Sequence, residues 1–152
     1  MNYYLHRIQK DNGNYTKGIE VHENMEDAIR SFWGRMKTAY NASGTMTFVS
    51  CFVEDGNGNI VYPYAATWLK EGTETTNEFF LHSIRFDGET YTKGIDVYAT
   101  QDEAQRMFAT AMEYGYNNPR FENVSYVSCE ITDLLSGGMI LARDAWKKPE
   151  EE

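Results

Sequence analysis

The sequence lacks any long apolar run. No stretch approaches the roughly 20 apolar residues that a membrane-spanning helix requires, and the N-terminus lacks the basic-then-apolar layout of a secretory signal. Cysteine is scarce as well, with two residues in a chain of 152. Two thiols are too few for a disulfide scaffold, and such sequences are typical of reducing compartments. The sequence therefore predicts a cytoplasmic protein with no membrane partner.

Basic residues are the minority among the charged side chains, 14 against 23 acidic, which gives a net charge of −9. The acidic excess lies mainly in the second half: residues 1–76 carry 7 basic and 9 acidic side chains, and residues 77–152 carry 7 and 14. This balance repels nucleic-acid phosphates, so DNA and RNA are not expected as partners, whereas a basic protein surface is compatible with it. Residues 149–152, which end on three glutamates, are predicted to be a solvated acidic tail.

Catalytic and cofactor-binding signatures are also missing. The sequence has no Gly-x-Ser-x-Gly elbow, phosphate-binding loop, dinucleotide fingerprint or paired metal-binding carboxylate motif. None of its three histidines has a convincing nucleophile at hand. We therefore expect no catalytic residue and no cofactor.

The strongest positive signal is an internal repeat. Leu5-His6-Arg7-Ile8 matches Leu81-His82-Ser83-Ile84, and residues 15–21 match residues 91–97, both at an offset of 76. The offset becomes 78 where Val49-Ser50-Cys51 matches Val127-Ser128-Cys129. The sequence thus predicts a first repeat over residues 1–70, a linker over 71–77, a second repeat over 78–148 and the tail over 149–152.

Each repeat is predicted to fold as a β-β-α-β-β unit. Two hairpins, the first centred on Asp11-Asn12-Gly13-Asn14, flank a helix. If the helix is a crossover connection, strands two and three run parallel to each other. Strand one then fits between them and pairs antiparallel with both. The fold class is therefore α+β, with an antiparallel four-stranded sheet of order 2-1-3-4 and one helix on one face in each repeat. We expect a pseudo-twofold axis to relate the repeats.

The helices are predicted to begin after Asn24 and at Thr100, which supply N-caps. Apolar residues recur every four positions and should pack on the sheet as one core stripe per helix: Ala28, Phe32, Met36 and Tyr40, then Ala104, Phe108, Met112 and Tyr116. Matching ion pairs Glu26–Arg30 and Asp102–Arg106 are expected on the exposed sides.

The sheet face opposite the helix is apolar too, and a surface of this kind is not expected to stay in contact with water. Either the two sheets pack together in an α/β/β/α sandwich, or the face binds a protein partner. The candidate partner surface consists of Tyr4, Ile8, Phe48, Phe52, Phe80, Ile84 and Tyr126.

Histidine and cysteine recur in both repeats, as His6 with Cys51 and His82 with Cys129. These are zinc-ligand types, but their spacing matches no zinc signature and strand alternation puts them on opposite faces. We expect no metal, and interpret them as buried thiols and as packed or hydrogen-bonded histidines. His22 is expected to be exposed.

The segments Thr16-Lys17-Gly18 and Thr92-Lys93-Gly94 are the other shared element. Glycine inside a strand often marks a bulge, which would turn both lysines outward. One interpretation is structural, a bulge that keeps the strand twisted. The other is a pair of sites that bind a small anionic ligand.

Tyr-Tyr-Leu-His-Arg-Ile-Gln near the N-terminus, Tyr-Thr-Lys-Gly-Ile-Glu-Val and Phe-Val-Ser-Cys resemble short uncharacterised proteins of anaerobic gut bacteria and their phages. The resemblance covers each repeat and implies an origin in a phage or mobile element. The leading hypothesis is a non-enzymatic protein-binding module, such as an inhibitor of a host system encoded by such an element. A small anionic-ligand binder and an unrecognised enzyme are the alternatives.

Overall fold

The computed structural model describes residues 1–40, 44–73, 76–117, 123–136 and 140–149. Residues 137–139, most of the predicted acidic tail and the Tyr40 side chain lie outside the described residues. The elements in chain order are β1 (Tyr3–Asp11), β2 (Asn14–His22), α1 (Met25–Tyr40), β3 (Met46–Asp55), β4 (Ile60–Leu69), β5 (Phe79–Phe86), β6 (Tyr91–Tyr98), α2 (Gln101–Tyr116), β7 (Tyr126–Asp133) and β8 (Ile140–Lys147).

The predicted α+β fold class and strand order are confirmed. One sheet has the order β2-β1-β3-β4 and the other β6-β5-β7-β8, with antiparallel pairing at every step. Register is shared as well: Arg7 pairs with Gly18 and Cys51, while the aligned Ser83 pairs with Gly94 and Cys129. Pro63 lies in β4, which is an edge strand of its sheet. Proline has no backbone N–H to donate, and an edge strand tolerates this because one of its sides is unpaired.

The chain divides into two compact units. The first unit comprises Met1–Asn77 and Leu134–Gly138, and the second comprises Glu78–Asp133 and Met139–Glu152. Each unit therefore holds one sheet and the helix that packs on it. Among the described residues, neither helix is long and apolar enough to cross a membrane.

Both helices start where the capping signals place them. Asn24 Oδ1 accepts a hydrogen bond from the Asp27 N–H at 2.9 Å, and Thr100 Oγ1 accepts one from the Glu103 N–H at 3.2 Å. These bonds satisfy N–H groups that have no partner inside the helix. The predicted Glu26–Arg30 pair is wrong, since Arg30 pairs with Asp27 at 2.9 Å instead.

The core stripes of the helices are correct except at one end. Ala28, Phe32 and Met36 are buried, as are Ala104 and Met112, whereas Tyr116 is exposed and donates a hydrogen bond to Asp144. Residues four positions apart on a helix are separated by about 40° around its axis. After three such steps, the fourth residue of the stripe has therefore rotated away from the core face. The buried position near the end is three residues on from the methionine, Ala39 in α1 and Gly115 in α2.

Candidate functional site

The repeated Thr-Lys-Gly segments form no bulge. Pairing of β2 and β6 with the central strands runs through Gly18 and Gly94 without a register shift, and neither glycine has a positive φ. The predicted bulge is therefore wrong, because an ordinary extended backbone accommodates both glycines. Lys17 and Lys93 are exposed, as are Thr16 and Thr92.

Replacing Gly94 with valine should leave stability nearly unchanged. A Cβ at this position would meet nothing within 4 Å, and a β-branched side chain suits a strand. We expect Gly94→Val and Lys93→Ala each to change the free energy of unfolding by no more than about 0.5 kcal/mol, the range of ordinary surface substitutions. Denaturant titration checks this, and a loss above about 1 kcal/mol for either variant contradicts it.

The seven residues proposed as a partner surface are all buried. None of Tyr4, Ile8, Phe48, Phe52, Phe80, Ile84 and Tyr126 is more than 5% exposed. Their assignment to a partner surface stays a prediction. Among the described residues, the large apolar side chains that are exposed lie elsewhere, at Trp33 and Tyr62 among others.

Each central strand β1 and β5 carries a buried histidine with a polar partner. A hydrogen bond of 3.0 Å joins His6 Nε2 to Glu54 Oε1, both side chains being 0% exposed, and the imidazole stacks on Phe52 at 4.2 Å. His82 Nε2 lies 2.9 Å from Thr132 Oγ1. Sequence reasoning missed Glu54, although its alignment with Thr132, three residues after the matched Val-Ser-Cys segment, marks it as a polar position in both repeats.

The two cysteines lie on the helix side of their sheets, opposite the histidines, as predicted. Both are buried and free of disulfides. Burial raises the pKa of the Cys51 thiol to about 12. Because the thiolate is the nucleophilic form, Cys51 is held in its unreactive state at neutral pH.

A cluster of charged side chains surrounds Glu20 in the first unit. Ser31 Oγ donates to Oε1 at 2.8 Å and Arg35 Nη2 to Oε2 at 3.1 Å, while Arg7 Nε lies 3.2 Å from Oε2. His22, expected to be exposed, is instead half-buried and 3.1 Å from Oε1. Burial raises the pKa of the Glu20 carboxyl, but hydrogen bonds from Ser31, His22 and Arg35 outweigh this effect and lower that pKa overall.

The second unit keeps an acidic residue in place of Glu20 but has neither arginine of this cluster, and it holds a cavity where Ser83 and Ala111 replace them. Its aligned residues are Ser83, Asp96, Tyr98, Met107 and Ala111. The cavity has a volume of about 60 Å³ and lies between α2 and the helix-facing side of the sheet. Its lining includes Ser83, Arg85, Thr92, Ala111, Tyr114 and Cys129. Of the six residues predicted to bind a ligand, Thr92 is the one that this lining includes.

The outer side of α1 exposes a large aromatic residue. Trp33 is 52% exposed, with Arg30 three residues before it and Lys37 four residues after it, both exposed. Residues at these spacings are neighbours on a helix surface. Sequence reasoning missed Trp33, yet a signal existed, because the aligned residue of the second repeat is the much smaller Ala109.

Comparison with known proteins assigns no relative. No protein-family model, curated protein or solved structure matches this chain. The two repeats can still be compared with each other. A residue that is present in one repeat and replaced in the other is not required for the shared fold.

Proposed function

We propose that this chain is a non-enzymatic protein-binding module that contacts an acidic protein surface through the outer side of α1. The half-exposed Trp33, flanked by Arg30 and Lys37, is the observation that carries this proposal. We call these three residues, with the exposed Met25, the α1 surface.

The fold does not need a tryptophan at position 33. The second repeat places the exposed Ala109 at the same point of α2 and forms the same sheet and helix. The Trp33 ring packs edge-on against Phe32, with centroids 5.1 Å apart, but the exposed half of the indole gains nothing from the hydrophobic effect until a partner covers it. Tryptophan and arginine are also the residues that dominate binding energy in protein interfaces, so their proximity on one helix favours an interface.

The charge of α1 selects the partner. Although the chain carries a net charge of −9, α1 contains Arg30, Arg35 and Lys37 against two acidic residues, both in its first turn. The corresponding helix α2 has one arginine and three acidic residues. Complementary potentials steer association and fix orientation, so an acidic surface with a pocket for the indole is the expected partner. A basic protein would be attracted by the net negative charge of the chain, but the basic residues of α1 would repel it at this surface.

A cytoplasmic binding protein encoded by a phage or mobile element, acting as an inhibitor of a host system, is the particular role we propose. The sequence resemblance supports that origin. Small size and a duplicated fold suit a protein that works by occupying a surface.

The test uses Trp33→Ala, which installs the residue of the second repeat. Proteins captured from a bacterial lysate by wild type and variant are compared by mass spectrometry, and each differential candidate is purified and titrated directly. We expect Trp33→Ala to weaken the direct complex about 30-fold or more, since a hot spot contributes at least about 2 kcal/mol. Arg30→Glu should weaken it as well and reduce its sensitivity to salt.

The matched control is Ala109→Trp, which places an indole on the exposed side of α2 instead. It should not capture the same proteins, because α2 lacks the flanking pair of basic residues. If wild type and Trp33→Ala, with equal melting temperatures, bind the same partner equally well, the α1 surface is not the interface and the proposal is wrong.

A further inference from the structure

We propose that the second unit binds a small monocarboxylate of about the size of acetate in the cavity between α2 and its sheet, with Arg85, Ser83 and Thr92 as the groups that hold the carboxylate. This site is independent of the α1 surface, which belongs to the first unit. Either proposal can fail without the other.

The cavity exists because the repeats differ at two large side chains. In the first unit, Arg7 on β1 and Arg35 on α1 both reach Glu20, with side chains that are 25% and 46% exposed. The second repeat has Ser83 and Ala111 at these positions, so a hydroxyl and a methyl group replace two guanidinium groups. The backbone register is the same in both units, and the lost side-chain volume is therefore left open.

Three polar side chains converge on this space. Arg85 pairs directly with Thr92 across the β5–β6 ladder, and Ser83 lies two residues along β5 on the same face. Within the part of the chain that the structure describes, none of these three side chains makes a hydrogen bond to another protein group. A guanidinium and two hydroxyls can together donate several hydrogen bonds, which is the donor set that an oxyanion requires.

Charge favours an anion over a neutral ligand. Arg85 forms no ion pair with a carboxylate among the described residues, and its guanidinium lies 4.0 Å from the centre of the Tyr114 ring. The aromatic ring holds the guanidinium by a cation–π contact without neutralising it. Arg85 therefore offers its positive charge to one negative charge on the ligand at a partly desolvated site, although the nearby exposed Asp87 carboxylate offsets part of that charge. In the first repeat the residue aligned with Arg85 is Gln9, so this charge is specific to the second.

Size and apolar lining favour a carboxylate with a short carbon chain. A cavity of about 60 Å³ has room for a few water-sized groups, since one water needs at least about 10–15 Å³. Acetate has four non-hydrogen atoms. Ala111, Val127 and the Tyr114 ring supply apolar wall for its methyl group, whereas a larger, doubly charged phosphate would place charge against carbon.

The experiment is an NMR titration of the ¹⁵N-labelled full chain with sodium acetate at constant ionic strength, with sodium chloride as the balancing salt. We expect saturable shifts of backbone amides around the cavity, at Ser83, Arg85, Thr92 and Ala111, and no matching response at Arg7, Gln9 or Arg35. Arg85→Gln installs the first repeat's residue and should weaken acetate binding at least tenfold. Arg106→Gln removes the same charge from the exposed side of α2 and should bind acetate as wild type does.

Two further arms decide between ligand classes. Methylammonium chloride should give no saturable shift at the cavity, and sodium phosphate should bind at least tenfold more weakly than acetate. Ser83→Arg restores the side chain that fills the first unit and should abolish the acetate response without unfolding the chain. The proposal is overturned if acetate gives no saturable shift in wild type, if Arg85→Gln binds it equally well, or if either comparison ligand binds more tightly.

Discussion

Truncation of Phe32 to alanine should lower the free energy of unfolding by about 3–5 kcal/mol, the range for large buried aromatic side chains. Phe32 is 1% exposed and lies at the centre of the α1 stripe, between Ala28 and Met36. Its ring also makes an edge contact with Tyr64 on β4, with centroids 5.9 Å apart. Alanine therefore removes contacts with the sheet and leaves a cavity that the neighbouring side chains can fill only in part.

The aligned Phe108→Ala is the matched comparison. Phe108 is only half-buried against its core, so its truncation removes less apolar surface from the folded state. Sequence periodicity predicts the same large loss for both phenylalanines, whereas the structure predicts a smaller one for Phe108. Chemical denaturation followed by circular dichroism measures both, and equal losses would mean that the two stripes are equivalent after all.

Removal of Glu54 should lower the free energy of unfolding by about 1–3 kcal/mol, the range for leaving a buried polar group without its hydrogen-bond partner. Glu54 and His6 are both fully buried and 3.0 Å apart. Glu54→Ala removes the oxygen that is hydrogen-bonded to His6. Water cannot replace this oxygen, because the histidine is fully buried. We expect the loss as a shift of the denaturation midpoint with an unchanged slope.

The second repeat provides the rescue variant for this pair. Glu54→Thr installs the hydroxyl that Thr132 offers to His82, and should recover part of the stability lost in Glu54→Ala. Glu26→Ala, on the exposed first turn of α1, is the control for loss of a carboxylate and should cost no more than about 0.5 kcal/mol. A Glu54→Ala variant as stable as this control would show that the buried hydrogen bond contributes little to folding.

The sequence was sufficient for the architecture, because local signals and one topological rule left few alternatives. Turn signals, caps at Asn24 and Thr100 and the four-residue spacing around Phe32 define the elements. The crossover rule then orders the strands. Tyr116 was misplaced because four-residue spacing drifts around the helix, and Gly18 because a glycine in a strand need not have unusual backbone angles.

The candidate sites were harder to predict, because they depend on contacts between elements. In β3 every residue from Phe48 to Glu54 is buried, on both faces of the strand, and sequence reasoning assigned no role to Glu54. The cavity follows from two substitutions, Ser83 and Ala111, on different elements. The sequence does not show that these two positions are close in space. The structure of the first unit does, because Arg7 and Arg35 both contact Glu20 there.

The close contact between Gly115 and Trp146 bears on the evolutionary history of the duplication. A Cβ on Gly115 would lie 2.7 Å from the Trp146 Cβ and 2.8 Å from its Cγ, closer than Cβ atoms approach other carbons. The first repeat has Ala39 at the aligned position, where Trp68 packs against the same core. Recombination that copied the α1 coding segment over that of α2 would carry this methyl group into the indole. The two helices are therefore not interchangeable at this position unless Trp146 moves.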